Sequence, residues 1–296
     1  MADHLPISEG LEPTWSGIPV ERHESIWSTS GEALDRAHRG SLSGARVIVA
    51  ATQTGAYGRR GRAWQAPRGG LWWTLAHPWK AETPASEPPH GSEALGLRVG
   101  WACLGLVSGE LERAGVARER VRLKWPNDVL VDGRKALGCL CEGVVEGPEG
   151  KAGRSWLIVG VGLNVNNDAA ELGSDLRRAP TSLRGVAGRE FDLDSLGADL
   201  TARVLQALAP MGRDRWMGEL GEIVSRLEGL DGPITLRLPG GETLRGTLVG
   251  LSDTGRLVVV NERGRTVAPA GAEIVASTSA GAADSRNADP GSELGV

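Results

Sequence analysis

Apolar side chains recur every three to four positions in three long stretches of the chain. Leu97, Trp101, Leu104 and the run Val107 to Leu111 give one apolar face to a helix over about 94–114. Leu193–Leu208 and Arg213–Leu227 carry the same period and predict two more helices. A shorter helix is expected over Gly31–His38, with Ser28, Thr29 or Ser30 as its cap. Between these lie short, branched apolar runs of strand length. Arg46–Ala51, Gly70–Ala76, Arg134–Glu142 and Trp156–Asn166 read as strands. Val121–Lys124 runs into Trp125-Pro126, where strand pairing must stop, and Asn127-Asp128 begins a turn. Val129–Val131 follows, then a turn at Asp132-Gly133, and Thr181 opens a further helical region.

The period changes at Gly229. Pro233–Leu238, Thr243–Val249, Arg256–Val260, Arg265–Ala268 and Glu273–Ala276 are five short strands, separated by Gly240-Gly241, Asp253-Thr254-Gly255 and Arg263-Gly264. Such spacing predicts a small β-barrel, near the lower size limit for folding alone and therefore leaning on the rest. The expected organisation is a flexible arm over 1–20, a large domain over 21–228, the barrel over 229–276 and a disordered tail over 277–296. Residues 80–93, rich in proline and polar groups, read as a surface loop.

Composition narrows the field of functions. The 296-residue chain carries a net charge of -4, which gives no support to nucleic-acid binding as its main task. No apolar run reaches the roughly 20 residues that span a bilayer, and Met1–Gly10 lacks the pattern of a signal peptide, so no membrane role is expected. Cys103, Cys139 and Cys141 fit a reduced cytoplasm better than a disulfide framework. Cys139 and Cys141 would share one face of a strand as core residues rather than metal ligands.

Candidate chemistry gathers at four places. Gln53-Thr-Gly-Ala-Tyr-Gly-Arg-Arg-Gly-Arg-Ala-Trp64 joins glycines that let backbone approach a ligand, arginines that match carboxylate and phosphate oxygens, and a terminal aromatic that can cover a flat heterocycle. Lys124-Trp-Pro-Asn-Asp128 adds a cation and a carboxylate. Lys135 and Gly138 open the next strand. Gly160 and Gly162 in an apolar strand signal close approach by another group. Asn164 beside them must find partners, at a cost of roughly 1–3 kcal/mol if it does not.

In that order, and followed by the barrel, these segments resemble biotin protein ligase over about residues 21–276. Ser28-Thr29-Ser30 is similar to the family's Ser-Thr-Asn signature. The resemblance implies an α+β fold: a mixed sheet with helices packed on one side, like the class II aminoacyl-tRNA synthetase core, then a Src-homology-3-like barrel. With little sequence before Ser28, the chain looks like the members without a DNA-binding repressor module. The implied reaction joins biotin to AMP from ATP with Mg2+, releases pyrophosphate, and passes biotin to a lysine of a biotin carboxyl carrier domain of an acyl-CoA carboxylase. The implied protein is a monomer or weak homodimer.

The resemblance also assigns residues. Lys135 would contact both the biotin carboxylate and the α-phosphate, and Arg59 would close over the adenylate. Ser28, Thr29, Ser30, Gln53, Tyr57, Gly58 and Gly138 would line the biotin. Arg62, Trp64, Lys124, Asn127 and Asn164 would hold the nucleotide, with Trp64 stacked on adenine. Asp128 is our candidate for orienting or deprotonating the acceptor lysine, whose free amine has a pKa near ~10.4; the same residue suits a turn cap. The chain departs from the family where Ala56-Tyr57 replaces the usual Gly-Arg. A lipoate ligase of the same superfamily and a non-enzymatic biotin-sensing regulator are the competing readings. The Lys-Trp-Pro-Asn-Asp run and the barrel oppose the first, and the lack of a DNA-binding element opposes the second.

Overall fold

A computed structural model describes residues 13–79, 92–146, 153–172 and 179–277. Most of the 80–93 loop, the first twelve residues of the arm and nearly all of the 277–296 tail lie outside the described residues. One sheet of eight strands runs through the larger part: β1 (Thr14–Trp15), β2 (Ile18–Ile26), β3 (Arg46–Gln53), β4 (Leu71–Pro78), β5 (Val121–Lys124), β6 (Asp128–Val131), β7 (Arg134–Val145) and β8 (Ser155–Leu163). Their spatial order is β1-β2-β3-β4-β8-β7-β6-β5. Only β2 and β3 run parallel, joined by α1 (Thr29–His38) as a crossover.

Alternation within β3 sorts the two faces. Val47 and Val49 point into the main core with Leu97, Leu104, Leu106, Leu200 and Val204 from α2 (Ser92–Arg113) and α4 (Leu193–Leu208). Ile48 points the other way, where Ala33 and Ala37 of α1 pack on Ile48, Ala76 and Ile158. The expectation of helices on one side thus holds for α2 and α4, while α1 covers part of the opposite face. Face assignment depends on strand order, which local periodicity does not carry. Helix α2 is long and apolar enough to cross a membrane by composition, but 67% of that window is buried in this core. Cys103 and Cys139 are buried there too, and Cys141 packs against it. Burial and the neighbouring Cys139 thiol push the Cys141 thiol well up.

The expected flexible arm is corrected over residues 13–20. Thr14-Trp15 pairs with Ile18-Pro19 across a tight turn at Ser16 (φ 52°) and Gly17 (φ 79°). Trp15 is the anchor: it is only 7% exposed, lies against Gly197 of α4, where a Cβ would fall 2.2 Å from its ring, and carries the Arg22 guanidinium 5.2 Å above it. A two-residue strand has no period to read, and β2 buries only Val20.

On β2, Glu21 accepts hydrogen bonds from Arg36 at 2.6 and 2.8 Å and meets His23 Nε2 at 2.7 Å. The Arg36 guanidinium holds this carboxyl below its ordinary value of 4.5. A lowered carboxylate stabilises the fold fully above the ordinary carboxylate range, and the contribution disappears as pH falls through the lowered value. Urea melts of Glu21→Gln should show a loss of about 1 kcal/mol at pH 7, limited by solvent screening, and a smaller loss in acid. A loss that does not change with pH would detach the effect from charge.

The remaining helices are α3 (Leu183–Ala187) and α5 (Arg213–Ser225). The C-terminal unit is a five-stranded antiparallel sheet of β9 (Pro233–Arg237), β10 (Thr243–Leu251), β11 (Leu257–Asn261), β12 (Gly264–Val267) and β13 (Glu273–Ser277), ordered β12-β11-β10-β9-β13. It docks through its β10–β11 turn. Trp125 Nε1 donates to Gly255 O at 2.8 Å and Trp216 Nε1 to Asp253 O at 2.5 Å.

Candidate active site

The site begins as a bare patch on the α1 face of the sheet. Gly138 of β7 stands opposite Gly162 of β8, and Leu140 opposite Gly160. A Cβ at Gly160 would fall 2.3 Å from Ser30 Oγ, and one at Gly162 2.9 Å from the Trp64 indole. Neither position admits a side chain without displacing a cavity wall. Above this floor lies a cavity of about 820 Å³. Its walls are the start of α1, the Gln53–Trp64 loop, the Lys124–Asp128 turn, the first residues of β7, and Ala272, Glu273 and Ile274 from the C-terminal sheet.

Every site residue named from the sequence lines this one cavity: Ser28, Thr29, Ser30, Gln53, Tyr57, Gly58, Arg59, Arg62, Trp64, Lys124, Asn127, Asp128, Lys135, Gly138 and Asn164. Lys135 reaches it through a β-bulge. Val129 pairs with Leu137 but Leu130 pairs with Lys135, so Ala136 has no partner on β6. Without the bulge, in regular alternation, Lys135 would share the face of Leu137, which is fully buried in the core. With it, the side chain runs over Gly138, whose added Cβ would lie 3.1 Å from Nζ.

Five cations and two carboxylates line the cavity: Arg59, Arg60, Arg62, Lys124 and Lys135 against Asp128 and Glu273. Lys135 Nζ sits 2.8 Å from Asp128 Oδ1 and 4.9 Å from the centre of the Trp64 ring; Lys124 Nζ is 4.0 Å from Asp128 Oδ2. The loop is a hairpin, with bridges at Gln53–Ala66 and Tyr57–Ala63 and positive φ at Arg60 (60°) and Gly61 (68°) at its tip. Arg60 donates to Glu273 Oε2 at 2.6 Å and to Gly271 O at 3.0 Å, and Arg62 also pairs with Glu273. Arg59 lines the cavity, and among the described residues it has no ion-pair partner. The surplus of positive charge in a half-enclosed space suits a polyanion beside a carboxylate.

The α1 end is lined with hydroxyls. Thr29 N and Thr29 Oγ1 both donate to Gln53 Oε1, at 2.7 and 3.1 Å. Thr74 Oγ1 donates to Thr29 Oγ1 at 2.8 Å, which leaves the Ser30 hydroxyl as the donor in its 3.0 Å contact with Thr74. Ser28 Oγ caps α1 by accepting from Gly31 N at 3.2 Å. The Ser28 hydroxyl proton and the Gln53 amide nitrogen remain available to a ureido-like or carbonyl ligand.

Two residues named as nucleotide contacts also brace the walls. The Asn127 amide donates to Cys139 O, which ties the turn to β7. Asn164 is 2% exposed; its amide donates to Thr181 O at 3.1 Å and Lys135 O at 3.5 Å. It stands just beyond the end of β8, so its polar group meets backbone carbonyls rather than apolar core.

Sequence reasoning passed over Thr74 and Glu273. Thr74 was legible as a lone hydroxyl in an otherwise apolar strand. Glu273 was read only as part of a short strand, and nothing local signals a contact 213 residues away.

Residues 24–164 match the biotin/lipoate A/B protein ligase family, and residues 229–276 match the biotin protein ligase C-terminal domain. The biotin–[acetyl-CoA-carboxylase] ligase of Paracoccus denitrificans is 31% identical over 256 residues, which cover 82% of this chain and 95% of that one. The bifunctional ligase/repressor BirA of Bacillus subtilis is 30% identical over 184 residues, 62% of this chain but 51% of that one, so the match spans about half the length of that relative. Among solved structures, the Aquifex aeolicus biotin protein ligase in complex with biotin and ATP superposes with a TM-score of 0.67 at 25% identity, covering 86% of this chain and 97% of that one. Sheet, terminal domain and near full-length likeness agree: the chain belongs to the biotin protein ligase family.

Proposed function

We propose that the chain activates biotin with ATP to form biotinyl-AMP and transfers the biotin to a lysine of a biotin carboxyl carrier domain of an acyl-CoA carboxylase. The observation that carries this reading is Lys135, standing between the hydroxyl-lined end of the cavity and Trp64. A carboxylate oxygen attacks the α-phosphorus of ATP, and the bond to pyrophosphate breaks. Lys135, Lys124 and the loop arginines offset the charge of two anions brought together. Trp64 offers its ring to adenine once the nucleotide enters. Ser28, Gln53 and the Gly138 backbone hold the ring system of biotin.

In the second step the carrier lysine, as free amine, attacks the biotinyl carbonyl and AMP leaves with the former carboxylate oxygen. Asp128, set between two ammonium groups, orients the incoming amine and accepts its proton. Magnesium, when bound with the nucleotide, would offset the charge of its phosphates. We place the reaction in the cytoplasm, where thiols stay reduced.

The mixed anhydride hydrolyses readily, so the Gln53–Arg62 loop must cover it. Trypsin should cut the loop arginines roughly tenfold more slowly with biotin and ATP together. Equal cutting with and without ligands would remove the lid role. For the function as a whole, the protein is incubated with ATP, magnesium, biotin and a carrier domain. The expected product is a carrier heavier by one biotin. Pyrophosphate exchange driven by lipoate instead of biotin would overturn the assignment.

A further inference from the structure

Thr74 is fully buried and does not line the cavity, yet hydrogen bonds lead from it to two polar groups that do. It sits in mid-sheet, paired with Ile48 of β3 on one side and Gly160 of β8 on the other. Its side chain shares their face, beneath the start of α1. A Cβ at Gly160 would fall 2.3 Å from Ser30 Oγ and 3.7 Å from Thr74 Oγ1. The missing side chain leaves the gap in which the two hydroxyls meet.

The direction of each bond follows from the one before it. A backbone N–H can only donate, so the Gln53 atom 2.7 Å from Thr29 N is the amide oxygen. That oxygen can only accept, so the Thr29 hydroxyl, 3.1 Å away, gives it a proton. The Thr74 hydroxyl must then donate to Thr29 Oγ1 at 2.8 Å, and the Ser30 hydroxyl to Thr74 Oγ1 at 3.0 Å. Both ends of the chain are thereby set. Gln53 keeps its N–H donors for a ligand, and Ser30 keeps only lone pairs. Gln53 and Ser30 both line the cavity.

We propose that Thr74 is a positioning residue for ligand selectivity: it holds Ser30 as a hydrogen-bond acceptor beside the Gln53 donor. This rests on the ligase reading above. An acceptor beside a donor fits a ring that carries an N–H next to a carbonyl, as the cyclic urea of biotin does. The dithiolane ring of lipoate has neither group and would leave Ser30 and Gln53 unpaired away from water. Thr74 acts through Ser30 and Thr29, and no bond in the reaction passes through it. Without its hydroxyl, Ser30 would carry an unpaired proton whenever it accepts from the ligand.

The test combines biotin titration calorimetry without nucleotide and pyrophosphate exchange with biotin varied at saturating ATP. Thermal melts run in parallel. Thr74→Val keeps nearly the shape of threonine. It should weaken biotin binding and raise the biotin KM by roughly tenfold, the scale of one buried polar group left unpaired. Its kcat and its KM for ATP should change little, and it should melt within a few degrees of wild type. Thr74→Ala also lacks the hydroxyl and should show the same rise, which keeps the test open should the valine variant fail to fold. Thr74→Ser returns the hydroxyl and should restore the biotin KM. Ser30→Ala should cost a similar factor alone and add little in the Thr74→Val background, because both lie on one path. A wild-type biotin KM in Thr74→Val and Thr74→Ala would overturn the relay. So would a Thr74→Ser variant no better than Thr74→Val, or full additivity with Ser30→Ala. A wild-type protein that neither binds biotin nor exchanges pyrophosphate would instead overturn the ligase reading, so the two failures are distinct.

Discussion

Lys135→Ala is expected to lower biotin-dependent pyrophosphate exchange by roughly 10²–10³-fold, the usual effect of removing one charge-stabilising group from a preorganised site. The fold should survive. The Lys135 side chain is about a quarter exposed, and its main partner, Asp128, keeps Lys124 at 4.0 Å. The backbone of Lys135 is held independently, by bonds from its N–H to Ala179 O at 3.0 Å and from Thr181 N–H to its carbonyl at 2.9 Å. Removing the ammonium therefore deletes charge without releasing the strand. Melting within a few degrees of wild type, together with lost exchange, supports this reading. Normal exchange would remove Lys135 from the mechanism. Lys135→Arg is a sharper probe: it keeps the charge but replaces a compact ammonium with a planar fork over Gly138, where room is short.

Arg59→Gly is expected to leave adenylate formation largely in place and to raise its escape by roughly tenfold or more, as a charge-assisted contact to the bound anion disappears. Arg59 differs from the other loop arginines. Arg60 and Arg62 are tied to Glu273, whereas Arg59 faces the cavity and has no ion-pair partner among the described residues. Among the described residues its loss breaks no ion pair, so its effect should show with ligand bound. The readout is biotin on lysines of an unrelated bystander protein. Labelling of the bystander should rise while labelling of the carrier persists. Unchanged selectivity would show that Arg59 does not retain the intermediate.

Legibility in the sequence followed the range of the forces involved. Leu193–Leu208 was readable to the residue because its apolar stripe and its cap are local: Asp192 accepts from Ser195 N–H at 2.6 Å. The Asp132-Gly133 turn was equally plain, with φ of 51° and 71° as a primed hairpin requires. The barrel strands were located to within two or three residues by their turns. Four separated motifs foretold the lining of the cavity, since each brings glycine, charge or a lone polar group where a plain core strand has none. The edge strand β1 and its neighbour β2 stayed hidden because they bury little. The α1 face stayed hidden because strand order is a property of the whole sheet. Glu273 reaches Arg60 and Arg62 across domains, and no window of sequence spans that distance. Asn127 and Asn164 were expected as ligand contacts, and their amides also bind backbone carbonyls that only the fold brings near.

The bulge at Ala136 makes the reactive centre a matter of parity. Strands place successive side chains on opposite sides, so one residue more or fewer exchanges inside for outside. Deleting Ala136 would remove the bulge and make Val129–Leu137 and Leu130–Lys135 successive pairs, so Lys135 would keep the cavity face, away from Leu137. The bulge thus admits one extra residue between Lys135 and Leu137 without carrying the ammonium into the core. Exchange of the buried Ala136 for another small apolar residue should therefore be benign.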